Sequence, residues 1–134
     1  MKHIELINST SQTVASGGKL ALGVVNFKLC AGAFSYNSTD TITLVQAGVY
    51  QILIKVDLTG TVATQNVGYA IAYNGTTSTI ASASAVTTAI GDTITLGIPK
   101  LVKVCNTPMA LNLVNSGVDS TTYNNIIFDI VKVA

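Results

Sequence analysis

The sequence predicts an all-β protein in which two antiparallel sheets pack face to face as a sandwich or jelly roll. About eight to ten segments alternate apolar and other residues, and turn residues recur about every 8 to 12 positions. No segment has an apolar stripe at helical spacing. The chain of 134 residues fits one domain, 1–134. A third observation is the stretch Ile42–Gly60, which has the pattern of two strands joined at a corner.

This stretch is the strongest strand signal in the chain. After a turn at Gln46–Gly48, five apolar side chains recur at every second position. A slip of one residue would move Lys55 and Asp57 into the core, so the alternation fixes the register. We therefore predict a central strand with one buried face, formed by Tyr50, Ile52, Ile54, Val56 and Leu58.

Before this stretch the strand signals are weaker. Ile4–Ile7 alternates and predicts a first or edge strand, so residues 1–11 are a candidate docking or edge segment. Gln12–Ala15 could pair briefly. A mostly apolar strand follows over Lys19–Phe27, with one face formed by Leu20, Leu22 and Val24.

After the stretch Ile42–Gly60 the turn signals are clearer. Asn74–Gly75 is a strong hairpin signal, because both central residues of a type I′ turn need positive φ. The hairpin predicts a partner strand over Thr77–Thr88 despite its alanines. A long strand over Thr93–Cys105 should bend at its proline. The last strand, Tyr123–Val133, is apolar on both faces and should be buried on both.

The composition indicates that other molecules cover part of the surface. The chain is 49% hydrophobic and 10% charged, whereas ordinary domains are about 25% charged. No apolar run reaches the roughly 20 residues of a membrane-spanning helix, so we expect no membrane insertion. Obligate interfaces between subunits are apolar, which favours a homo-oligomer. The net charge is +1 without any basic stripe, which disfavours nucleic-acid binding.

Few residues could support catalysis or bind a metal. His3 is the only histidine, and its place near a chain end predicts a surface residue. The six carboxylates are scattered singly, so no pair is set up for acid–base chemistry. Cys30 and Cys105 are too few for a disulfide framework or, with one distant histidine, a zinc site. We predict two buried thiols, whose pairing stays open, and no catalytic residue, metal or cofactor.

Tyrosines are the candidate ligand contacts. Tyr36, Tyr73 and Tyr123 could stack on sugars, although strand tyrosines more often fill the edge of a core. Both interpretations stay open at this point. The sequence has no secretory leader before Ile4, so we expect synthesis in a cytoplasm.

Several motifs together resemble the trimeric jelly roll of the TNF-like and complement-q-like family. They are the corner ITLVQAGVY, the hairpin YAIAYNGT, the turn IGDTITL and the closing NNIIFDIVKV. The runs SQTVASGGKLAL, IPKLVKV and LNLVNSG resemble a bacterial and phage branch in particular. That branch includes the heads of spore-surface collagen-like proteins and small virion proteins of phages. The chain lacks the Gly-X-Y repeats of the collagen-like members.

The resemblance implies a TNF-like homotrimer. The second face of the last strand would lie near the three-fold axis, beside the predicted central strand. The predicted interface is then formed by Gln51, Leu53, Ile127, Asp129, Val131 and Val133. An ion on that axis stays open, although no Asp-x-Asp-x-Asp run is present.

We expect a non-enzymatic structural protein of a phage virion, a decoration, auxiliary capsid or head-fibre protein. It would be made in the bacterial host and would contact capsid, collar or tail proteins. The alternative is a fibre or surface-protein head that binds host glycans or a receptor.

Overall fold

A computed structural model describes residues 1–134 and confirms the predicted fold class. The chain forms eleven strands and one short 3-10 turn, Ala31–Ala33, without any α-helix. No helical segment has the length and hydrophobicity of a transmembrane span. The strands are β1 (Lys2–Asn8), β2 (Gln12–Val14), β3 (Val24–Leu29), β4 (Phe34–Tyr36), β5 (Ile42–Leu44), β6 (Gly48–Gly60), β7 (Gln65–Tyr73), β8 (Thr76–Thr87), β9 (Thr93–Val104), β10 (Met109–Asn115) and β11 (Thr121–Lys132).

The strands form two antiparallel sheets. The six-stranded sheet has the order β3-β1-β11-β6-β9, and β2 also pairs with β11. The five-stranded sheet has the order β4-β5-β10-β7-β8. The corner between β5 and β6 therefore passes from one sheet to the other, and β6 lies in the interior of its sheet as predicted.

The core between the sheets contains 25 buried hydrophobic residues, including the five predicted on β6. Two buried tyrosines link the sheets through their hydroxyl groups. The Tyr123 hydroxyl on the six-stranded sheet donates to the Gly68 carbonyl at 2.6 Å, and Tyr69 on the other sheet donates to the Leu96 carbonyl at 2.9 Å. Each bond lets a ring fill the core while its polar group stays satisfied.

The beginning of the chain differs from the sequence prediction in two ways. β1 pairs with β3 on one side and β11 on the other, so it is an interior strand and not an edge strand. Leu20 and Leu22 are buried as predicted, but Val24 is 65% exposed. Gly23 lies between them with φ +84°, and this left-handed residue interrupts the alternation. Whether residues 1–11 also contact another protein stays a prediction.

The hairpin β7–β8 is confirmed, and β8 contains an irregularity that the sequence pattern does not predict. Asn74 and Gly75 both have positive φ, 50° and 84°. Ala70 pairs with Ser82 and Ala72 with Thr77, so the four residues 78–81 lie opposite Ile71 alone. This large bulge pushes one apolar side chain into solvent, Ile80, which is 82% exposed.

Candidate functional site: the outer face of the six-stranded sheet

The outward side of the six-stranded sheet is unusually apolar for a surface, and we call it the apolar face. It is formed by the alternate residues of β6 and β11 together with those of the neighbouring strands. Phe27 is 47% exposed and Leu53 45% exposed, although side chains of this kind usually lie in a core. The exposed or half-buried apolar residues on this face are Val24, Phe27, Leu29, Ile7, Ile127, Val131, Val133, Leu53 and Leu101.

The strand register brings the predicted interface residues together. Gln51 lies opposite Val131, and Leu53 lies opposite Asp129. Ile127 follows one step along, opposite Lys55. Val133 lies just beyond β11, and its N–H donates to the Val49 carbonyl at 2.8 Å. The six residues therefore form one patch, and the outward face of β11 is exposed or half-buried in the single chain. Its burial in a trimer interface stays a prediction.

β3 adds apolar residues that the sequence analysis did not assign to this face. Phe27 and Leu29 lie opposite Glu5 and His3 of β1, which themselves pair with Asp129 and Val131. The phase of β3 depends on the break at Gly23 and on a bulge in its pairing with β1. Both features are tertiary, so the alternation of apolar residues alone could not identify these side chains as exposed.

A small polar cluster occupies the centre of the apolar face. Glu5 and Asp129 are direct cross-strand partners, an arrangement that is unfavourable for two like charges. The His3 ring compensates, because its Nε2 is bonded to Asp129 Oδ1. The amide of Asn26 donates to Glu5 Oε1 at 2.7 Å. The His3 ring also packs on Phe27, with ring centroids 4.9 Å apart, so the predicted surface histidine is a half-buried member of a cluster.

The tyrosines predicted to contact sugars do not form a common site. Tyr123 is fully buried, so a sugar at the surface cannot reach it and this prediction is wrong. The reason is a bulge between Asn124 and Ile127, where Asn125 has positive φ; it reverses the alternation of β11 and turns the ring into the core. Burial also raises the pKa of the Tyr123 hydroxyl far above its ordinary value.

Tyr36 and Tyr73 lie in the same ladder row of the five-stranded sheet, separated by two strands. Both are half-buried. The Tyr36 hydroxyl donates to the Gly23 carbonyl at 2.6 Å, whereas the buried Tyr73 hydroxyl has no hydrogen-bond partner. Burial raises the pKa of both hydroxyl groups. A sugar contact at these two residues stays a prediction.

The two cysteines are exposed and unpaired, which corrects the prediction of buried thiols. Cys30 has φ 48° at the end of β3, and Cys105 follows the last residue of β9. Both therefore lie just outside strands, where no core surrounds them. No group of three or more histidine, cysteine or acidic side chains is placed to hold a metal ion.

The fold of the chain is a TNF-like jelly roll. No protein-family model and no curated protein matches the sequence, so the assignment rests on structural similarity. The chain is similar to the globular domain of zebrafish complement 1qA protein, with a TM-score of 0.72, 9% identity and coverage of 100% of this chain and 98% of that one.

Two further solved structures are similar over nearly the whole chain. Eiger TNF from S. frugiperda has a TM-score of 0.73 and 11% identity, with coverage of 99% of this chain and 91% of that one. The vertex protein of phage PRD1 has a TM-score of 0.59 and 14% identity, with coverage of 99% and 97%. At these identities the similarity establishes the fold, and it does not establish a shared function.

Proposed function

We propose that the chain is a non-enzymatic structural protein that assembles as a homotrimer through the apolar face and decorates a phage virion. The observation behind the assembly is the set of exposed and half-buried apolar side chains that surrounds the polar cluster across five strands. Contiguous patches of this kind mark interaction sites, because monomers seldom leave them in water. A second copy is the occupant we favour, since only 10% of residues are charged and obligate interfaces are apolar.

The number of copies comes from the resemblance to the trimeric jelly-roll family. The phage assignment is supported by the sequence motifs of the phage-type branch and by the fold shared with a phage vertex protein. A protein attached to the outside of a virion needs no catalytic residues, and the one histidine, His3, is bonded to Asp129.

Light scattering of the purified protein at micromolar concentration tests the assembly. We expect three times the chain mass of 13.8 kDa. A monomer mass would contradict the proposal. Immunoelectron microscopy of purified virions from a producing lysate tests the location, and virions without label would contradict it.

A second candidate function is a glycan-binding head, and one observation favours it. The outer face of the five-stranded sheet holds a groove of about 510 Å³, which we call the serine groove. Hydroxyl and amide side chains surround it, including Asn66, Ser84 and Ser116, and none of its lining residues is charged. Such groups suit neutral sugars. Binding to a glycan panel that Ser84→Glu abolishes would support this function, and the absence of any bound glycan would contradict it.

A further inference from the structure

Five of the seven lysines lie at one end of the six-stranded sheet. In the strand register Lys103 pairs with Val49, and Lys100 pairs with Ile52. The remaining three fall in the same interval, which covers three residue steps of β6, or roughly 10 Å. We call this region the lysine end, formed by Lys2, Lys28, Lys100, Lys103 and Lys132.

No acidic side chain pairs with these lysines, and one of them, Lys132, donates to the oxygen of Ala134 at 2.8 Å. The only ion pair joins His3 to Asp129, and no acidic side chain occupies the register rows of the lysine end. The nearest acidic side chains, Glu5 and Asp129, lie one row further along and are bonded to Asn26 and His3. Unneutralised like charges repel one another, so this end has a positive potential that attracts anions.

A notch at the lysine end is lined in part by two of these lysines. It lies between the edge strands β8 and β9 and has a volume of about 340 Å³. The bulge of β8 supplies Ile80 to its rim, and Leu101 of β9 is 64% exposed beside it. Lys100, Lys103, Met109 and Tyr73 are also among the lining residues.

The Tyr73 hydroxyl is an independent sign of a missing partner. It is buried and forms no hydrogen bond within the chain, although buried polar atoms are almost always paired. Lys100, Lys103 and Tyr73 therefore line one notch whose rim is apolar. A carboxylate accepts hydrogen bonds and has negative charge, so it matches the two lysines, and inside the notch it would give the buried Tyr73 hydroxyl an acceptor.

We propose that the lysine end, centred on this notch, binds a carboxylate-bearing segment of an acidic partner protein. Phosphate polymers are more often recognised by the planar fork of arginine, and the chain has none. Exposed Ile80, which lies outside the apolar face, fits a protein partner, because apolar anchors fill the centre of protein interfaces. The proposal goes beyond the trimer, since it names the kind of surface to which the protein attaches.

Fluorescein-labelled poly-L-glutamate is the probe, titrated with the full chain at about 50 mM salt, where screening is moderate. We expect binding that Lys103→Glu weakens about tenfold, by roughly 1.4 kcal/mol. The matched control is Lys19→Glu, which changes the net charge equally at an exposed site paired with Val114 of the other sheet. Its affinity should stay within about twofold. Equal losses in both variants, or no binding by the wild type, would overturn the proposal.

Tyr73→Phe tests the notch without changing any charge. Removing an unpaired buried hydroxyl should leave the fold at least as stable. We expect binding about threefold weaker, as for the loss of one modest hydrogen bond. Unchanged affinity would overturn the placement in the notch.

Two further outcomes distinguish a protein partner from a phosphate polymer and from a second copy of the chain. Tighter binding of long-chain polyphosphate than of poly-L-glutamate would overturn the assignment to a protein. A mass increase without any probe that Lys103→Glu removes would assign the lysine end to a second copy instead. Light scattering of every variant distinguishes failure here from failure of the trimer.

Discussion

The outer faces of the two sheets differ although both sheets belong to one sandwich. The apolar face exposes large side chains such as Phe27 and Leu53. On the five-stranded sheet the corresponding positions hold small residues, and three of them form a separate buried cluster, Ala70, Ala72 and Val114. The segment after β10 covers part of this second face, beside the serine groove, whereas the apolar face stays open. This difference supports the proposal that another molecule covers the apolar face.

Small residues make this internal cover possible. A Cβ atom on Gly68 would lie 2.7 Å from the Ala83 carbonyl oxygen and 2.9 Å from Ser116 Oγ. The segment after β10 therefore approaches the sheet only because Gly68 has no side chain. The large side chains of the apolar face are instead exposed in the single chain.

The largest expected effect comes from placing a charged side chain on the apolar face. Val131→Asp would bring three like charges together in a dry trimer seam, at a cost on the order of several kcal/mol. We expect loss of the trimer or insolubility in size-exclusion chromatography with light scattering. The matched control is Val86→Asp on the edge of the other sheet, where Val86 is already 61% exposed. A Val131→Asp protein that elutes and melts like the wild type would contradict the role of this face.

The core should respond in a different way from either face. Ile54→Ala removes buried methyl groups from β6, where the side chain is 4% exposed, and should cost about 2–5 kcal/mol. Urea titration measures the free energy of unfolding. Its neighbour Leu53 points to the apolar face, so Leu53→Ala should weaken assembly more than folding of the single chain. A change within about 0.5 kcal/mol for Ile54→Ala would mean that the two faces of β6 are reversed.

One glycine on each outer face allows the stability of matched alanine variants to be compared. Gly68→Ala should destabilise the fold by about 1–3 kcal/mol, because the added methyl group meets backbone and Ser116. Gly97→Ala on the six-stranded sheet meets a single atom, the Ile54 carbonyl oxygen at 3.3 Å. We expect it to stay within about 1 kcal/mol of the wild type. Thermal melts of both variants measure the difference, and equal losses would contradict this account of the second face.

The smallest effect concerns the polar margin of the apolar face. The Thr95 hydroxyl and then the Asn125 amide donate to Asp57, at 2.6 and 2.9 Å, and hold the pKa of its carboxyl below the usual range. Its stabilisation is therefore fully present above the unfolded-state pKa of about 3.9 and is lost as pH falls through the folded-state value. Solvent screening keeps it below about 1 kcal/mol.

Denaturant titrations of the wild type and Asp57→Asn, from neutral pH down to about pH 2, measure this dependence. We expect the wild type to lose slightly more stability than Asp57→Asn below about pH 4. Identical curves would show that the two hydrogen bonds do not favour the charged carboxylate.

The sequence predicted the fold where alternation was uninterrupted, and it failed where the phase changed. The strict pattern on β6 identified its five core residues correctly. Tyr123 and Val24 were assigned to the wrong side, because Asn125 and Gly23 reverse the alternation through positive φ. An asparagine or glycine permits such a conformation but does not require it, so only the tertiary structure decides.

The candidate site was predictable in part for the same reason. The interface residues on β6 and β11 follow from two regular strands and were found together. The contributions of β3, the His3–Asp129 contact and the notch depend on which strands become neighbours. Side-chain alternation contains no information about such pairing across more than 100 residues.

The position of β1 in the sheet also governs the order of folding. β1 lies between β3 and β11, so one of its two neighbours is made more than 100 residues later. During synthesis its hydrogen-bonding groups on that side stay unpaired until β11 has been made. β6 also pairs with β11, so the hydrogen-bonding groups on that side of β6 stay unpaired for the same time. Closing such distant pairs is slow, because the loop entropy must be overcome before the contacts form. The nascent chain therefore has open strand edges until β11 is made, and such edges favour aggregation during folding.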